Sequence, residues 1–348
     1  MLRKELTLVD MMTRHQIFLE GVKAGQSKLF NDTAAEFRKS FLELILELDI
    51  AFASMGQLTK KKLVEFIVKL RAKQFAIYNT FSAQLLKDLE GFVDADRDLT
   101  KNMLELYTGE KVEKKDKAFF GVLLTASAIK ANAKLLSVIK NSPIPANGML
   151  PLNFIGGFIA SASAVPENLI RKAYANNWTV KQMNDALFGT AAKNFRDGEI
   201  TRVGYQANSL INTLWQHSSA IISAAIGSQF FDRYVWVSIL DDKTTNTCRE
   251  RDGRVYEYGK GPLAPAHYFC RSKNIPIDPE ATVIDEPTTY YSWLKNQPKE
   301  VQDEILGTSR ATSLASGQLK SVDLGKFSVV QSLTAEQFRD KLSVITKT

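Results

Sequence analysis

Apolar residues recur at three- and four-residue intervals through most of the first 140 positions. Phe37, Phe41, Leu42, Leu44, Ile45, Leu46 and Leu48 share one face of a helix. A second run goes from Leu58 through Leu63, Phe66, Ile67, Leu70 and Phe75 to Tyr78, and a third from Phe81 through Leu85, Leu86 and Leu89 to Phe92. Thr59 and Thr100 stand before basic or amide-rich helical patterns and are expected to cap them. Few glycines or prolines interrupt this half, so the pattern predicts a domain of long helices over residues 1–140.

The pattern breaks at 141–148, where Pro143, Pro145 and Gly148 fall among Asn and Ser residues. That density of turn formers predicts a loop and a domain boundary. Beyond it, a helix is expected from Val165 with Pro166 in its first turn. Another is expected from Trp178 to Leu187 with Thr179 as its cap, and a long amphipathic one from Ile200 to Ile226, ending at Gly227. The period then shortens. Residues 234–240 are aromatic and β-branched and predict a strand. Residues 254–258, entered through an Asp252-Gly253 turn, and residues 272–277 predict two more. The reading is an α+β chain, mainly helical: a helical domain over 1–140, then a second over 150–348 that carries a β-rich module at 234–277 and a helical tail. No internal repeat or low-complexity tract is evident.

Composition changes this picture little. The chain has 348 residues, 45% of them hydrophobic and 24% charged, which fits a folded protein of two domains. No stretch approaches the ~20 apolar residues that a spanning helix needs; residues 154–165 are apolar but short and rich in Gly and Ser. The N-terminus lacks the long apolar stretch of a signal peptide, so a cytoplasmic origin is expected. Two cysteines, Cys248 and Cys270, exclude a disulfide framework. The net charge of +7 and a pI near 9.1 are compatible with nucleic acid as a partner and equally with an ordinary solvated surface.

The chemistry is concentrated in one string. Trp236 leads through Asp241, Asp242, Thr244 and Thr245 to Cys248; Asp252 and Gly253 follow; then come Pro262, Pro265, His267, Cys270, Arg271 and Ser272. This string resembles the Mu F-like head-morphogenesis module of tailed phages. That family shows a strand ending in Asp and Thr, a Cys a few residues on, an Asp-Gly turn, and then a Pro-x-His-x-x-Cys-Arg-Ser signature, read here as Pro265 to Ser272. Thr201-Arg202 opening a long helix fits the usual approach to that module. Tyr291 to Pro298 and Gln302 to Arg310 look like a segment that often follows it. The resemblance covers residues 165–320 in outline and none of 1–140. It implies a minor head protein of the virion, not an enzyme, associated with the portal protein or the major capsid protein at the portal vertex. It further implies a part in head assembly, sometimes passage with packaged DNA into the host, and no membrane association during assembly.

Cys248, His267 and Cys270 are soft or borderline ligands whose spacing could bring them to one metal. A structural zinc site would need a fourth ligand, for which Asp241, Asp242 and Asp252 are the candidates. Two other readings stay open: a metal-free knot in which the cysteines are small buried hydrophobes and His267 bonds a carbonyl or carboxylate, and a disulfide formed after virion release. Arg271 is expected to bind Asp241 or Asp242 through its planar fork, tying two strand ends together. Thr245, Asp252, Gly253 and Pro265 complete the expected structural knot, with Trp236 and Tyr256 as core residues.

A cysteine with a nearby histidine also suggests nucleophilic catalysis, but no glycine-rich oxyanion element accompanies Cys248. His15 and His217 sit within predicted helices and read as packing or surface residues. No phosphate-cradling loop, dinucleotide fingerprint or metallohydrolase motif is present. Lys60, Lys61, Lys62, Lys69, Arg71 and Lys73 form a basic cluster interleaved with Phe66 and Phe75, a candidate DNA contact that would make binding salt-sensitive. Lys111, Lys114, Lys115 and Lys117 form a second one with acidic neighbours. A solvated helix face is the alternative for both.

Overall fold

The computed structural model describes residues 7–53, 60–112, 117–119, 122–124, 132–239, 244–277, 290–320 and 332–347. Helices dominate: α1 (Leu8–Ala53), α2 (Lys60–Thr108), α3 (Asn132–Asn141), α4 (Pro151–Ala175), α5 (Val180–Phe188) and α6 (Glu199–Phe230). A short hairpin of β1 (Lys117–Phe119) and β2 (Val122–Leu124) follows α2. After α6 come β3 (Arg233–Val237), α7 (Asn246–Arg251), β4 (Val255–Glu257) and β5 (Lys273–Ile277). Beyond β5 the described residues form the short helices α8 (Tyr290–Lys295), α9 (Lys299–Leu306), α10 (Thr308–Ala315), α11 (Ala335–Arg339) and α12 (Leu342–Ile345). The mainly helical α+β class is as expected.

The chain forms two compact units, and neither is a continuous stretch of sequence. The first takes residues 1–25, 88–151 and 212–348; the second takes 26–87 and 152–211. The loop at 141–148 is present, but residues on both sides of it enter both units. The expected division at that loop therefore does not describe the packing. The reason is helix length: α1, α2 and α6 are 46, 49 and 32 residues long, and each contributes to both units.

Several local expectations need correction. The apolar residues from Leu63 to Tyr78 and from Phe81 to Phe92 lie in a single helix, because no glycine or proline stands between them; Leu58, at the start of the first run, lies outside the described residues. Pro166 sits inside α4 rather than in its first turn. The helix continues upstream through the apolar stretch at 154–165, although a proline there removes one backbone hydrogen bond. Thr100 is no cap: it is buried within α2 and its hydroxyl donates to Asp96 Oδ1 at 3.1 Å. Thr59 lies outside the described residues. Gly227 does not end α6, which runs on to Phe230. Thr179 is a cap as expected, with a reciprocal bond between its side chain and Gln182.

In the second unit the core is built from one face of α1 and one of α2. Phe37, Phe41, Leu44 and Ile45 meet Leu63, Phe66, Ile67 and Leu70, closed by Leu169, Ile170, Leu187 and Phe188. Phe41 sets its ring edge-to-face against both Phe66 and Phe188. Each fully buried large apolar side chain in this cluster contributes ~1.5–3 kcal/mol.

The first unit contains the β-module. Its sheet has the order β4-β3-β5, all antiparallel, with Tyr234 opposite both Tyr256 and Pro276. Pro276 is tolerated because β5 is an edge strand. Tyr234, Val235 and Trp236 of the central strand are fully buried. Helix α6 passes close by: a Cβ added at Gly227 would lie against Tyr258 and Pro276. Among the described residues no helix is long and apolar enough to cross a membrane.

Candidate metal centre

The strand β3 ends at Val237, and Ser238 organises the chain around that end. Its backbone N–H donates to Asp252 Oδ1 at 2.6 Å, its hydroxyl donates to the Cys248 carbonyl at 2.9 Å, and it accepts from Trp236 Nε1 at 3.0 Å. Ser272 Oγ lies 3.1 Å from the same hydroxyl. Strand end, helix α7 and the start of β5 are thereby tied at one buried point. Asp252 takes the C-cap position of α7, and Gly253 turns the chain, at φ +74°, into β4. Burial holds the Asp252 carboxyl above its usual range, against the bond from Ser238.

Across from α7, the segment from Pro262 is held by Asn274 of β5. The backbone N–H of Ala264 donates to Asn274 Oδ1 at 2.8 Å, and Asn274 Nδ2 donates to the Pro262 carbonyl at 3.3 Å. The chain then makes a tight turn, with Cys270 N–H donating to the His267 carbonyl and Phe269 in a left-handed conformation at φ +58°. That turn delivers His267 and Cys270 to Cys248.

The three predicted ligands do meet. Cys248 Sγ lies 3.1 Å from His267 Nε2 and 3.7 Å from Cys270 Sγ, and the three ligand atoms all lie within 4.8 Å of one another. Both cysteines are buried and reduced, while His267 is partly exposed. A tetrahedral centre with ~2.3 Å metal–sulfur bonds would set two sulfurs ~3.8 Å apart and a sulfur and an imidazole nitrogen ~3.6 Å apart. The sulfur pair already has that separation, and His267 needs a shift of about half an ångström.

Two features prepare these atoms for a cation. His267 Nδ1 lies 2.7 Å from the Tyr268 carbonyl. A carbonyl only accepts, so Nδ1 carries the proton and Nε2 presents its lone pair toward the sulfurs. Cys270 is held well below the ordinary thiol range by the hydrogen bond it takes from Cys248, and backbone N–H groups of Ser272 and Ala266 add to that against burial. Cys248, as the donor, is held correspondingly high. The residues fit a soft divalent metal.

The other predicted residues divide in two. Thr245 takes the N-cap position of α7 without a side-chain cap bond, Pro265 is buried in the turn segment, and Trp236 lies in the cluster of Ala220, Cys248, Ala264 and Cys270. Tyr256 is only partly buried, stacked on Tyr234 at 5.7 Å between ring centres. Of the three candidate fourth ligands, Asp252 does not join the group of Cys248, His267 and Cys270, its Oδ1 accepting instead from the Ser238 N–H; Asp241 and Asp242, also the carboxylates expected for Arg271, lie outside the described residues. Arg271 lines a small cavity beside Cys248, with Thr244, His267, Phe269 and Ser272, of about 10 Å³. That is room for about one water-sized sphere.

Of the basic cluster on α2, three members are engaged with carboxylates. Lys69 pairs with Glu47 at 3.0 Å, Arg71 with Glu167 at 2.7 Å and Lys73 with Glu43 at 3.3 Å. Lys60 and Lys61 are exposed and Lys62 half-buried. Lys111 of the second cluster pairs with Glu105 at 3.2 Å; Lys114 and Lys115 and the side chain of Lys117 lie outside the described residues. The residues missed by sequence reading are Ser238 and Asn274. Both look like ordinary strand-end polar residues, and only their partners, 10 to 34 positions away, reveal their work. No family model, curated protein or solved structure matches the chain.

Proposed function

We propose that the chain is a minor head protein of a tailed phage, in which the metal-binding knot serves as a rigid docking unit at the portal vertex. The observation that carries this reading is the convergence of the signature residues. Cys248, Asp252, His267 and Cys270, drawn from two segments of the string that resembles the head-morphogenesis module, cluster around one buried point. Zinc is the metal the donor set favours: two sulfurs and an imidazole are its common structural ligands. It would contribute folding energy to a module whose three strands are five residues or shorter.

The Cys248–His267 distance would also suit a cysteine nucleophile and its base. The small cavity beside the thiol weighs against it, since a space for about one water leaves little room for an acyl substrate. We therefore read the centre as structural. The readings from other classes are an effector or nucleic-acid-processing enzyme carried on the same module and a free DNA-binding protein; the ion pairs on Lys69, Arg71 and Lys73 weaken the case for the latter.

Mass spectrometry of purified virions, before and after DNA ejection, tests the assignment. The chain is expected in the intact virion; absence from both samples would overturn it. Tight binding to duplex DNA without the portal protein, weakening steeply with salt, would favour the DNA-binding reading. For the metal, elemental analysis is expected to give one zinc per chain and none for Cys270→Ser. A metal-free unmodified chain ends the zinc reading.

A further inference from the structure

Cys248 is buried yet lines the small cavity, whereas Cys270 does not. The cavity wall continues through His267 to Phe269, which is exposed. A second sulfur stands 3.7 Å behind the first. One thiol facing a space the size of a water, with another in direct contact behind it, is the arrangement of an attacking and a resolving cysteine. We propose that Cys248 and Cys270 form an oxidation site for a small hydroperoxide, with Cys248 oxidised first and Cys270 resolving it to an internal disulfide. The inference rests on the same three-residue cluster as the zinc reading and gives that cluster a second state.

The chemistry balances with hydrogen peroxide as the named oxidant. The Cys248 proton passes along its hydrogen bond to the Cys270 sulfur, 3.7 Å away, the Cys248 thiolate attacks one peroxide oxygen, the O–O bond breaks, and the departing hydroxide takes a proton from solvent and leaves as water. Cys248 is then a sulfenic acid. The Cys270 sulfur attacks it, the new S–S bond forms, and the sulfenic hydroxyl leaves with the second thiol proton as water. Two thiols and one peroxide give one disulfide and two waters. A metal held by both sulfurs would lose two ligands in the process.

Size sets the specificity. Hydrogen peroxide is little larger than the water-sized sphere the cavity has room for, while a disulfide oxidant such as oxidised glutathione must reach a sulfur that is 2% exposed. The pairing partner is fixed by contact, so the product is a cross-link within one chain. Formation of that bond requires the two sulfurs to approach from 3.7 Å to ~2.05 Å.

The test uses the full chain, in a metal-free and a zinc-loaded preparation, with metal content measured first. Each is exposed to hydrogen peroxide or to oxidised glutathione and mapped by peptide mass spectrometry. Peroxide is expected to give a dithiothreitol-reversible link between Cys248 and Cys270 in the metal-free chain, at least tenfold faster than oxidised glutathione does. In the zinc-loaded chain the link should form more slowly and one zinc should be released per link. Cys270→Ser is expected to stop at a sulfenic acid on Cys248, trapped by dimedone. Thiols that survive peroxide, Cys248 driven to sulfinic acid without a link, or a faster reaction with oxidised glutathione would overturn the proposal. A chain that takes up no zinc yet forms the link would sink the metal reading and leave this one standing.

Discussion

The ammonium of Lys273 lies 3.2 Å from Nδ1 of His15, and the two residues are 258 positions apart. An ammonium only donates, so Nδ1 accepts and Nε2 carries the ring proton. That proton points at Asp96 Oδ1, 2.6 Å away. The Lys273 ammonium also donates to Ser219 Oγ at 2.9 Å. Helices α1, α2 and α6 are thus joined to strand β5 by a buried line of cation, neutral imidazole and carboxylate. Burial, with Lys273 beside it, holds His15 below its ordinary value; burial pulls Lys273 down to about 8. The carboxyl of Asp96 stays below its usual range because His15 and Lys273 outweigh the cost of burying it.

Removing one end of that line should cost more than removing all of it. Asp96→Ala leaves the Lys273 charge buried without a carboxylate and is expected to lower unfolding stability by about 3–5 kcal/mol. The triple change Asp96→Leu, His15→Leu, Lys273→Met removes every charge and should recover most of that loss. Denaturant titrations of both variants provide the comparison. An Asp96→Ala chain as stable as the parent would show that the line does not hold the elements together.

His217 gives the chain an acid-sensitive term. It lies buried in α6, and burial pulls it from 6.5 down to about 4. Between those two values the unfolded chain binds the proton and the folded chain does not, so stability falls as pH drops from 6.5 and the loss is complete below pH 4. The separation corresponds to about 3 kcal/mol at ~1.4 kcal/mol per pH unit. In His217→Gln the stability lost between pH 6.5 and 4 should shrink by that amount. Identical pH profiles for the two chains would refute the assignment.

How much of the molecule is legible in the sequence depends on the range of the interaction. The strand at 233–237 announces itself because aromatic and β-branched residues crowd there, and the one at 273–277 through its two isoleucines. The cluster of Cys248, His267 and Cys270 is legible because soft ligands are rare and their spacing is short. Thr100 misleads because a threonine before a polar run looks the same whether it caps a helix or serves a buried carboxylate. His15 reads locally as a packing or surface residue. Its partners are 81 and 258 positions away, and no local pattern marks such pairs. Local rules favour Pro166 in a first turn, while its helix is held by the core of the second unit through Leu169 and Ile170.

The hydroxyl of Ser238 should be worth more than its size suggests. Its one proton goes to the Cys248 carbonyl, and it accepts from Trp236 Nε1. Ser238→Ala would strand that indole N–H in a fully buried site, at about 1–3 kcal/mol. The expected readout is a lower denaturant midpoint with a shifted tryptophan emission. A change below a few tenths of a kcal/mol would mean that the tie is redundant.

Glycines around the module should separate two kinds of cost. At Gly253 the backbone is left-handed and an added Cβ meets nothing within 4 Å. Gly253→Ala therefore carries only the conformational term, about 1–2 kcal/mol. At Gly261 an added Cβ would run into the Tyr234 hydroxyl and the side chain of Tyr256. Tyr234 cannot yield easily, because its hydroxyl donates to the Pro262 carbonyl at 2.7 Å and its ring lies in the sheet centre. Gly261→Ala should thus exceed Gly253→Ala in destabilisation and disturb the segment leading to His267. Thermal unfolding of the two variants, with zinc content measured alongside, gives the ordering. If Gly253→Ala proves the worse of the two, the close packing of Tyr234 against the 261–264 segment is not what positions the histidine.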